Sequence, residues 1–366
     1  MPRDLALVMF LAGGLVAGWL PADPAAQAAP GGTGTIYAGG YRDSILVIDE
    51  ATERVEAEIP LRTGMSRDLV LSADRTTFYS LDISYEYLET IDIATRTTTD
   101  SFTLSAGGRK VRIRGVAVDP AGRYAILLIR PATKRVDRWE IEPASLVQVD
   151  LTSHAIVRTV PWPDDEERER VSMQFSPDGA FLYFMDDDIA IYETAGFAEV
   201  DRWKLSQPIE PGLGRIRLGA SDPLNDEPGF VTGLFRLEDP VQGREMMGVA
   251  RLNLAARDVE VFTLGPSEPI SFALAPDRKT AYGLFQQIHH YEFWTIDLEH
   301  RRVTDRTAFR GRPRMALTTS SSGNLLYVYQ AGNTIDLYDA GTKAYLRTIT
   351  LDVDLTTDLF VVPSRP

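Results

Sequence analysis

The segment that decides the fold runs from Gln174 to Glu193 and reads QFSPDGAFLYFMDDDIAIYE. An apolar stretch ends at Phe175, the turn Ser176-Pro177-Asp178-Gly179 follows, and Phe181-Leu182-Tyr183-Phe184 returns as a second apolar stretch. Pro presets the backbone angle of the second turn position and Gly accepts a positive φ, so this turn joins two strands tightly. A third stretch ends at Ile191-Tyr192-Glu193. The segment therefore predicts successive antiparallel strands.

The end of the third stretch recurs along the chain as an apolar pair followed by Asp or a substitute. The seven instances are Val47-Ile48-Asp49, Thr90-Ile91-Asp92, Gln148-Val149-Asp150, Ile191-Tyr192-Glu193, Arg251-Leu252-Asn253, Thr295-Ile296-Asp297 and Leu337-Tyr338-Asp339. Their spacings are 43, 58, 43, 60, 44 and 42 residues. A unit of about 43 residues is therefore repeated seven times, with two insertions.

A second marker, the tight turn, recurs in phase with the first. Its instances are Ser72-Ala73-Asp74-Arg75, Asp119-Pro120-Ala121-Gly122, Ser176-Pro177-Asp178-Gly179, Ala275-Pro276-Asp277-Arg278 and Ser320-Ser321-Ser322-Gly323. A repeat of 40 to 45 residues built from short strands is typical of a propeller blade. We therefore predict an all-β, seven-bladed β-propeller of four-stranded antiparallel blades. The acidic markers are expected to bind turn amides, a structural role.

The two ends of the repeat region are expected to pair. The first blade starts at Thr35 without an innermost strand, whereas Asp358–Val362 reads as a strand without a blade. Pairing them closes the ring and leaves no open sheet edge. The predicted propeller spans residues 35–366.

The N-terminus has the pattern of an export signal. An apolar stretch from Leu5 to Leu20 precedes the small residues Ala26-Gln27-Ala28, which predicts a signal peptide over residues 1–28 and a short linker over 29–34. The apolar stretch is shorter than the roughly 20 residues that a membrane span needs. We expect a periplasmic or secreted protein with no membrane association after signal cleavage.

Composition limits the partners and the chemistry. The chain has 366 residues, a net charge of −14 and no Cys. An acidic chain is a poor partner for the phosphates of nucleic acid. Without Cys it cannot form a disulfide, an iron–sulfur cluster or a thioether bond to haem. We expect no catalytic, cofactor-binding or metal-binding residues on this chain.

The predicted insertions and charged loops lie on one side of the ring, and the other side is expected to carry only short turns. Loops on a rigid scaffold commonly carry binding, so we predict that the side with insertions is a partner-binding face. The candidate residues are Arg130, Arg138, Trp139, Glu140, Glu238, Asp239, Arg244, Arg312 and Arg314.

The sequence also resembles known families. The turn at 175–179 with Leu182-Tyr183-Phe184 is similar to the core of YVTN-type propellers. A closer likeness covers most of residues 35–366: the chain resembles the propeller (beta) subunit of quinohaemoprotein amine dehydrogenases. The residues that carry this likeness are Gly115-Val116-Ala117-Val118-Asp119-Pro120, Asp137-Arg138-Trp139-Glu140-Ile141-Glu142-Pro143, Val149-Asp150, Glu238-Asp239-Pro240, Val249-Ala250-Arg251-Leu252-Asn253-Leu254 and Ile335-Asp336-Leu337-Tyr338-Asp339.

This resemblance implies a non-catalytic role in the oxidation of primary amines. The family's tryptophan-derived quinone resides on a small separate subunit and its c-type haems on a dihaem cytochrome subunit, so both cofactors would belong to partners. Two alternatives stay open: a stand-alone periplasmic propeller that acts as a binding or scaffold module, and a hydrolytic propeller with inward-pointing carboxylates around a channel metal.

Overall fold

The computed structural model describes residues 31–208, 214–311 and 315–364. Within these ranges the chain forms 29 strands and one turn of 3-10 helix, Pro163–Asp165. The strands are β1 (Thr35–Gly39), β2 (Ser44–Asp49), β3 (Arg54–Pro60), β4 (Ser66–Leu71), β5 (Thr77–Asp82), β6 (Tyr87–Asp92), β7 (Thr97–Thr103), β8 (Arg109–Val118), β9 (Tyr124–Lys134), β10 (Trp139–Ile141), β11 (Ser145–Asp150), β12 (Ile156–Val160), β13 (Ser172–Phe175), β14 (Phe181–Met185), β15 (Ile189–Glu193), β16 (Glu199–Trp203), β17 (Ile216–Ser221), β18 (Phe230–Asp239), β19 (Arg244–Asn253), β20 (Asp258–Pro266), β21 (Ala273–Leu274), β22 (Thr280–Gln287), β23 (His290–Asp297), β24 (Arg302–Phe309), β25 (Ala316–Thr319), β26 (Leu325–Tyr329), β27 (Thr334–Asp339), β28 (Tyr345–Thr350) and β29 (Phe360–Val362).

The strands form seven antiparallel sheets, which confirms the predicted seven-bladed propeller. Blade 1 has the order β29-β1-β2-β3, and blade 2 has β4-β5-β6-β7. Blade 3 has β8-β9-β11-β12, with the short β10 as an additional strand beside β9. Blades 4 to 7 take four consecutive strands each, from β13 to β28. The first strand of each blade lies nearest the central channel.

The hydrophobic core lies between adjacent blades rather than in one centre. Seven clusters of buried side chains fill the seven interfaces between neighbouring sheets. Between blades 7 and 1, for example, Ile36 and Leu46 pack with Leu325 and Leu337, all at most 2% exposed. Alternating apolar residues on both faces of each sheet therefore explain why the sheets stack in a ring.

The seven acidic or amide markers have the predicted structural role. Each side chain accepts hydrogen bonds from backbone N–H groups of the turn after the third strand, as Asp92 does from Thr95 at 2.6 Å. Glu193 and Asn253, the two substitutes for Asp, do the same in blades 4 and 5. The markers therefore fix the turn between the third and fourth strands of every blade.

The termini close the ring as predicted. Strand β29 takes the innermost position of blade 1 and pairs antiparallel with β1, with Thr35 opposite Val362 and Tyr37 opposite Phe360. Val361 is 1% exposed and belongs to the core between blades 7 and 1. The last strand therefore completes the first blade.

A buried carboxylate next to this closure was not expected from the sequence. Glu50 is completely buried and accepts hydrogen bonds from Gly34 N at 2.9 Å, Ser321 N at 2.8 Å and Tyr327 Oη at 2.8 Å. Burial raises the pKa of Tyr327, so its hydroxyl remains a donor. These contacts hold the N-terminal residues 31–34 and the end of β2, the third strand of blade 1, to the tight turn of blade 7. The predicted signal peptide, 1–28, lies outside the described residues.

Within the described ranges, no helix has the length and apolar character needed to cross a membrane.

Deleting residues 358–366 should destabilise the protein strongly. The deletion removes β29, exposes an edge of blade 1 and uncovers apolar side chains whose burial contributes about 1.5–3 kcal/mol each. We expect the melting temperature to fall by roughly 10 °C or more. Differential scanning calorimetry of the two chains measures the change, and an unaltered melting temperature would show that the closure does not stabilise the ring.

Acid should weaken the fold through the marker aspartates. Hydrogen bonds from the turn hold the pKa of Asp49, Asp92, Asp150, Asp297 and Asp339 below the ordinary value. Such groups stabilise the fold above their unfolded pKa, and this stabilisation is lost as the pH falls through the lower folded pKa. We expect the free energy of unfolding to decrease as the pH falls below about 4.

Urea titrations between neutral pH and pH 2.5 measure this dependence. The matched variant is Asp92→Asn, because in blade 5 the amide oxygen of Asn253 accepts the equivalent bonds from the backbone N–H groups of Ala255 and Ala256. The variant should fold normally and lose less stability on acidification than the native chain. If the free energy of unfolding changed with pH equally in both chains, Asp92 would not contribute to the acid sensitivity.

Candidate functional site

The two faces of the ring differ in which connections they carry. Because neighbouring strands run antiparallel, the hairpins between first and second strands and between third and fourth strands emerge on one side, the turn face. The hairpins between second and third strands, and the crossings from each blade to the next, emerge on the other side, the insertion face. All the described candidate residues lie at or near the insertion face.

Blade 3 extends beyond the ring on this face. The first half of β8, the second half of β9 and β10 form a small three-stranded sheet, with Arg109 opposite Thr133 and Trp139 opposite Lys134. Glu142, directly after β10, accepts hydrogen bonds from Arg109 of β8 at 3.2 and 3.0 Å and from Thr133 of β9 at 2.9 Å, and so links the three strands. The extension is therefore held in place by its own contacts.

The predicted blade 3 residues form local ion pairs around an exposed aromatic side chain. Arg130 contacts Glu169 at 2.7 Å, Glu140 contacts Arg135 at 2.7 Å, and Arg138 contacts Asp137 at 3.3 Å. Such exposed pairs contribute little to stability. The side chain of Trp139 is 49% exposed.

The predicted blade 5 residues belong to a separate hairpin. Glu238 lies opposite Glu245 in the β18–β19 ladder, and Asp239 binds the turn amides of Val241 and Gln242 at 3.0 and 3.1 Å. Arg244 lies 3.6 Å from Asp239. Among the described residues, no hydrogen bond or ion pair joins this hairpin to the extension of blade 3. Arg312 and Arg314 lie outside the described residues.

Exposed apolar side chains concentrate on the insertion face. Of the twelve large apolar side chains that stand out as exposed in the described chain, seven lie in or beside the hairpins between second and third strands. They are Tyr41, Ile83, Val136, Trp139, Ile141, Val241 and Ile288. The other five lie on outer strands, and none of the twelve lies in a turn-face connection. Of these seven residues, only Trp139 is among those predicted from the sequence.

A cavity of about 600 Å³, named here the cup, opens at the centre of the insertion face. Its polar lining includes Arg67, Asp68, Tyr85, Tyr329 and Asp358. Burial, and then the negative charge of Asp358, raises the pKa of Asp68. Tyr329 donates to Asp358 at 3.1 Å, and Arg67 donates to Tyr85 at 3.2 Å. The cup was not predicted, because its residues come from blades far apart in sequence.

The expectation that the turn face carries only short turns is wrong for blade 5. Its first and second strands are joined by residues 222–229, named here the channel segment, instead of a four-residue turn. Asn225 Nδ2 donates to Thr319 Oγ1 of blade 7 at 3.2 Å, and Leu274 N of blade 6 donates to Asp222 at 2.9 Å. Arg75 of blade 2 donates to Leu224 O. A segment that starts in blade 5 and contacts blades 2, 6 and 7 must cross the channel.

Two arginines of the tight turns donate hydrogen bonds to the backbone of the channel segment. Arg75 and Arg278 occupy the left-handed fourth turn position, with φ of 57° and 58°, where three of the other turns have Gly. Arg278 Nε donates to Asn225 O at 3.4 Å. Burial also raises the pKa of Asp222. The missing tight-turn marker in blade 5 and these two arginines were the sequence signals for the channel segment.

Blade 4 carries the acidic run Asp186-Asp187-Asp188, and two of these side chains bind neighbouring groups of the protein. Asp186 accepts from Arg168 at 2.6 Å, and Asp188 accepts from Ser206 N at 2.8 Å. In the described part of the chain, no three His, Asp or Glu side chains come together as a metal site.

No protein-family model matches the sequence, and no curated protein matches it. Several solved structures share its shape. The dihydro-haem d1 dehydrogenase NirN in complex with DHE has a TM-score of 0.52 and 14% identity, covering 93% of this chain and 77% of that one. A functionally unknown protein from Desulfotomaculum acetoxidans DSM 771 has a TM-score of 0.55 and 12% identity, covering 91% and 100%. The β-propeller domain of Cps50 (Swd1) from Myceliophteria thermophila has a TM-score of 0.51 and 12% identity, covering 81% and 90%. At these identities the likeness establishes the propeller fold alone.

Replacing Asn225 by Ala should loosen the channel segment. The change removes the hydrogen bonds from Nδ2 to Thr319 Oγ1 and Asp222. The buried Thr319 Oγ1 is left without a donor, which costs about 1–3 kcal/mol, whereas Asp222 keeps its bond from Leu274 N. Urea unfolding measures the loss, and hydrogen exchange should show faster exchange of amides within residues 222–229. The exposed Gln207→Ala is the control. Equal protection of the segment in both variants would contradict the crossing.

Proposed function

We propose that this chain is a protein-docking propeller subunit that binds its partners through the insertion face and contributes no catalytic residues. The observation that supports this proposal is the concentration of seven exposed apolar side chains on that face. Three of the seven, Val136, Trp139 and Ile141, lie close together on the extension of blade 3, beside the charged Asp137, Arg138 and Glu140. Apolar groups rimmed by charged residues commonly mark binding surfaces. The turn face has no comparable group among the described residues.

The resemblance to quinohaemoprotein amine dehydrogenases supports a more specific proposal for the partners. They are a small subunit with a tryptophan-derived quinone and a dihaem cytochrome subunit, which together oxidise primary amines in the periplasm. A chain without Cys cannot bind c-type haem covalently, so the haem belongs to a partner. The two carboxylates of Asp68 and Asp358 outnumber the one guanidinium, Arg67, in the lining of the cup, so its charge favours a cation such as a protonated amine.

The cup also favours a second candidate function, a stand-alone periplasmic binding module. Its volume lies within the range of small-molecule pockets, and its lining includes both carboxylates and hydroxyl groups. In this case the ligand binds at the ring centre and the insertion face needs no protein partner. Isolation of the native protein distinguishes the two functions.

Affinity purification of the mature protein from its own periplasm, followed by visible spectroscopy and mass spectrometry, tests the proposal. We expect a c-type haem chain and a small quinone-bearing chain to copurify. A colourless monomer would contradict the docking function and favour the binding module.

Replacing Trp139 by Ala should then weaken the complex by about 1–2 kcal/mol, or roughly fivefold to thirtyfold in Kd, because aromatic side chains often anchor interfaces. The matched control is Tyr345→Ala. Tyr345 is 55% exposed but lies on an outer strand of blade 7. Surface plasmon resonance with the purified partner subunits measures both variants, and thermal unfolding should change little in either. Equal affinities would exclude Trp139 from the interface.

A further inference from the structure

We propose that the free edge of β10 binds an extended segment of a partner protein as an additional antiparallel strand. This inference rests on the proposed docking function and specifies how one contact is made. The observations that carry it are the directions of the backbone groups of β10, the empty position beside the strand and the side chains on either side.

The hydrogen bonds at the two ends of β10 show which of its backbone groups point away from β9. Arg135 N donates to Arg138 O at 2.7 Å, and Glu142 N donates to Pro131 O at 2.9 Å. In an antiparallel ladder, alternate residues bond to the same neighbour. Arg138, Glu140 and Glu142 therefore bond toward β9. The N–H and C=O groups of Trp139 and Ile141 point to the opposite edge.

No described strand occupies that edge. In the ring part of blade 3, β9 is followed by β11 and then by the outer strand β12. In the extension, β10 replaces β11, but β12 pairs only with β11, from Leu146 to Val149. The position of an outer strand beside β10 is empty within the described chain. Two donors and two acceptors are thus available at the spacing of a β-strand.

The side chains do not protect this edge from pairing. Proteins usually protect free edges with Pro, bulges or inward-pointing charges. Here Trp139 and Ile141 share one side of β10 and are 49% and 64% exposed, and neighbouring Val136 is fully exposed. Glu140 projects from the other side and pairs with Arg135. The edge therefore combines unsatisfied backbone groups with exposed apolar side chains.

Charge disfavours a second copy of this chain in the register that uses the outward backbone groups of both Trp139 and Ile141 on each copy. If two copies of β10 paired so that Trp139 of each faced Ile141 of the other, Glu140 would lie directly opposite Glu140. Like charges directly opposite each other destabilise a sheet. A partner strand with a basic residue between two β-branched or aromatic residues matches the edge instead. The occupant is accordingly an extended apolar–basic–apolar segment of another protein.

The probe for this edge is the capped peptide acetyl-Thr-Val-Lys-Val-Thr-amide, added to the full chain labelled with ¹⁵N at Trp and Ile. Without peptide, the amides of Trp139 and Ile141 should exchange freely with solvent. Saturating peptide should slow both by about tenfold or more, because each gains a hydrogen bond. The same peptide with Glu in place of Lys should bind more weakly. Protection of both amides in the free chain would overturn the proposal.

The Ile141→Pro variant removes one outward donor and preserves the pairing of β10 with β9, because Pro is tolerated where the N–H faces solvent. We expect the peptide Kd to rise by about tenfold or more. Val136→Ala is the control and should bind normally. Unchanged binding to the Pro variant would overturn the proposal. Concentration-dependent dimerisation that the Pro variant abolishes would assign the edge to a second copy and overturn it as well.

The failure of the docking function is distinguishable from the failure of this inference. If partner subunits bind the Ile141→Pro variant normally but bind Trp139→Ala weakly, docking holds and strand addition is wrong. If the peptide protects the edge but no partner copurifies from the periplasm, the edge is confirmed as a strand-binding site and the amine dehydrogenase complex is wrong.

Discussion

The pairing of β29 with β1 is the contact on which the rest of the structure depends. Every blade packs against two neighbours, and the hydrophobic cluster between blades 7 and 1 exists only if these two blades meet. Glu50 adds a polar contact at the same interface by joining the N-terminal segment to the turn of blade 7. A closed ring has no exposed blade face, so variation can accumulate in its connections without loss of the core.

The repeat was predictable because its chemistry is local. The acidic markers and the tight turns act within a few residues, so their spacing indicates blade number and strand order, and the unpaired strands at the two ends indicate closure. The cup was not predictable, because Asp68 and Asp358 meet only after the ring closes. The channel segment was overlooked for a related reason: its contacts with Thr319 and Leu274 cross between blades, and only the absence of a tight turn marks it.

The two faces have different physical roles. On the turn face, hydrogen bonds saturate short connections and fix the blades, and the arginines in left-handed turn positions contact the channel segment. The insertion face carries exposed apolar side chains, local ion pairs and the open edge of β10, and the proposed docking rests on these features. Among the candidate residues, Trp139 combines an exposed aromatic side chain with the open edge of β10. The charged candidates beside it, Arg138 and Glu140, form ion pairs with the neighbouring residues Asp137 and Arg135.

The channel segment has a consequence for the order of events at the cup. Residues 222–229 cross the far end of the channel and the cup opens on the insertion face, so that face is the direct route to the cup for a small molecule. A partner protein bound to the insertion face would then cover the cup and enclose any ligand bound in it. Loading must precede docking, or the docked protein must supply its own passage to the cup. A molecule trapped in this way would leave only as fast as the two chains separate.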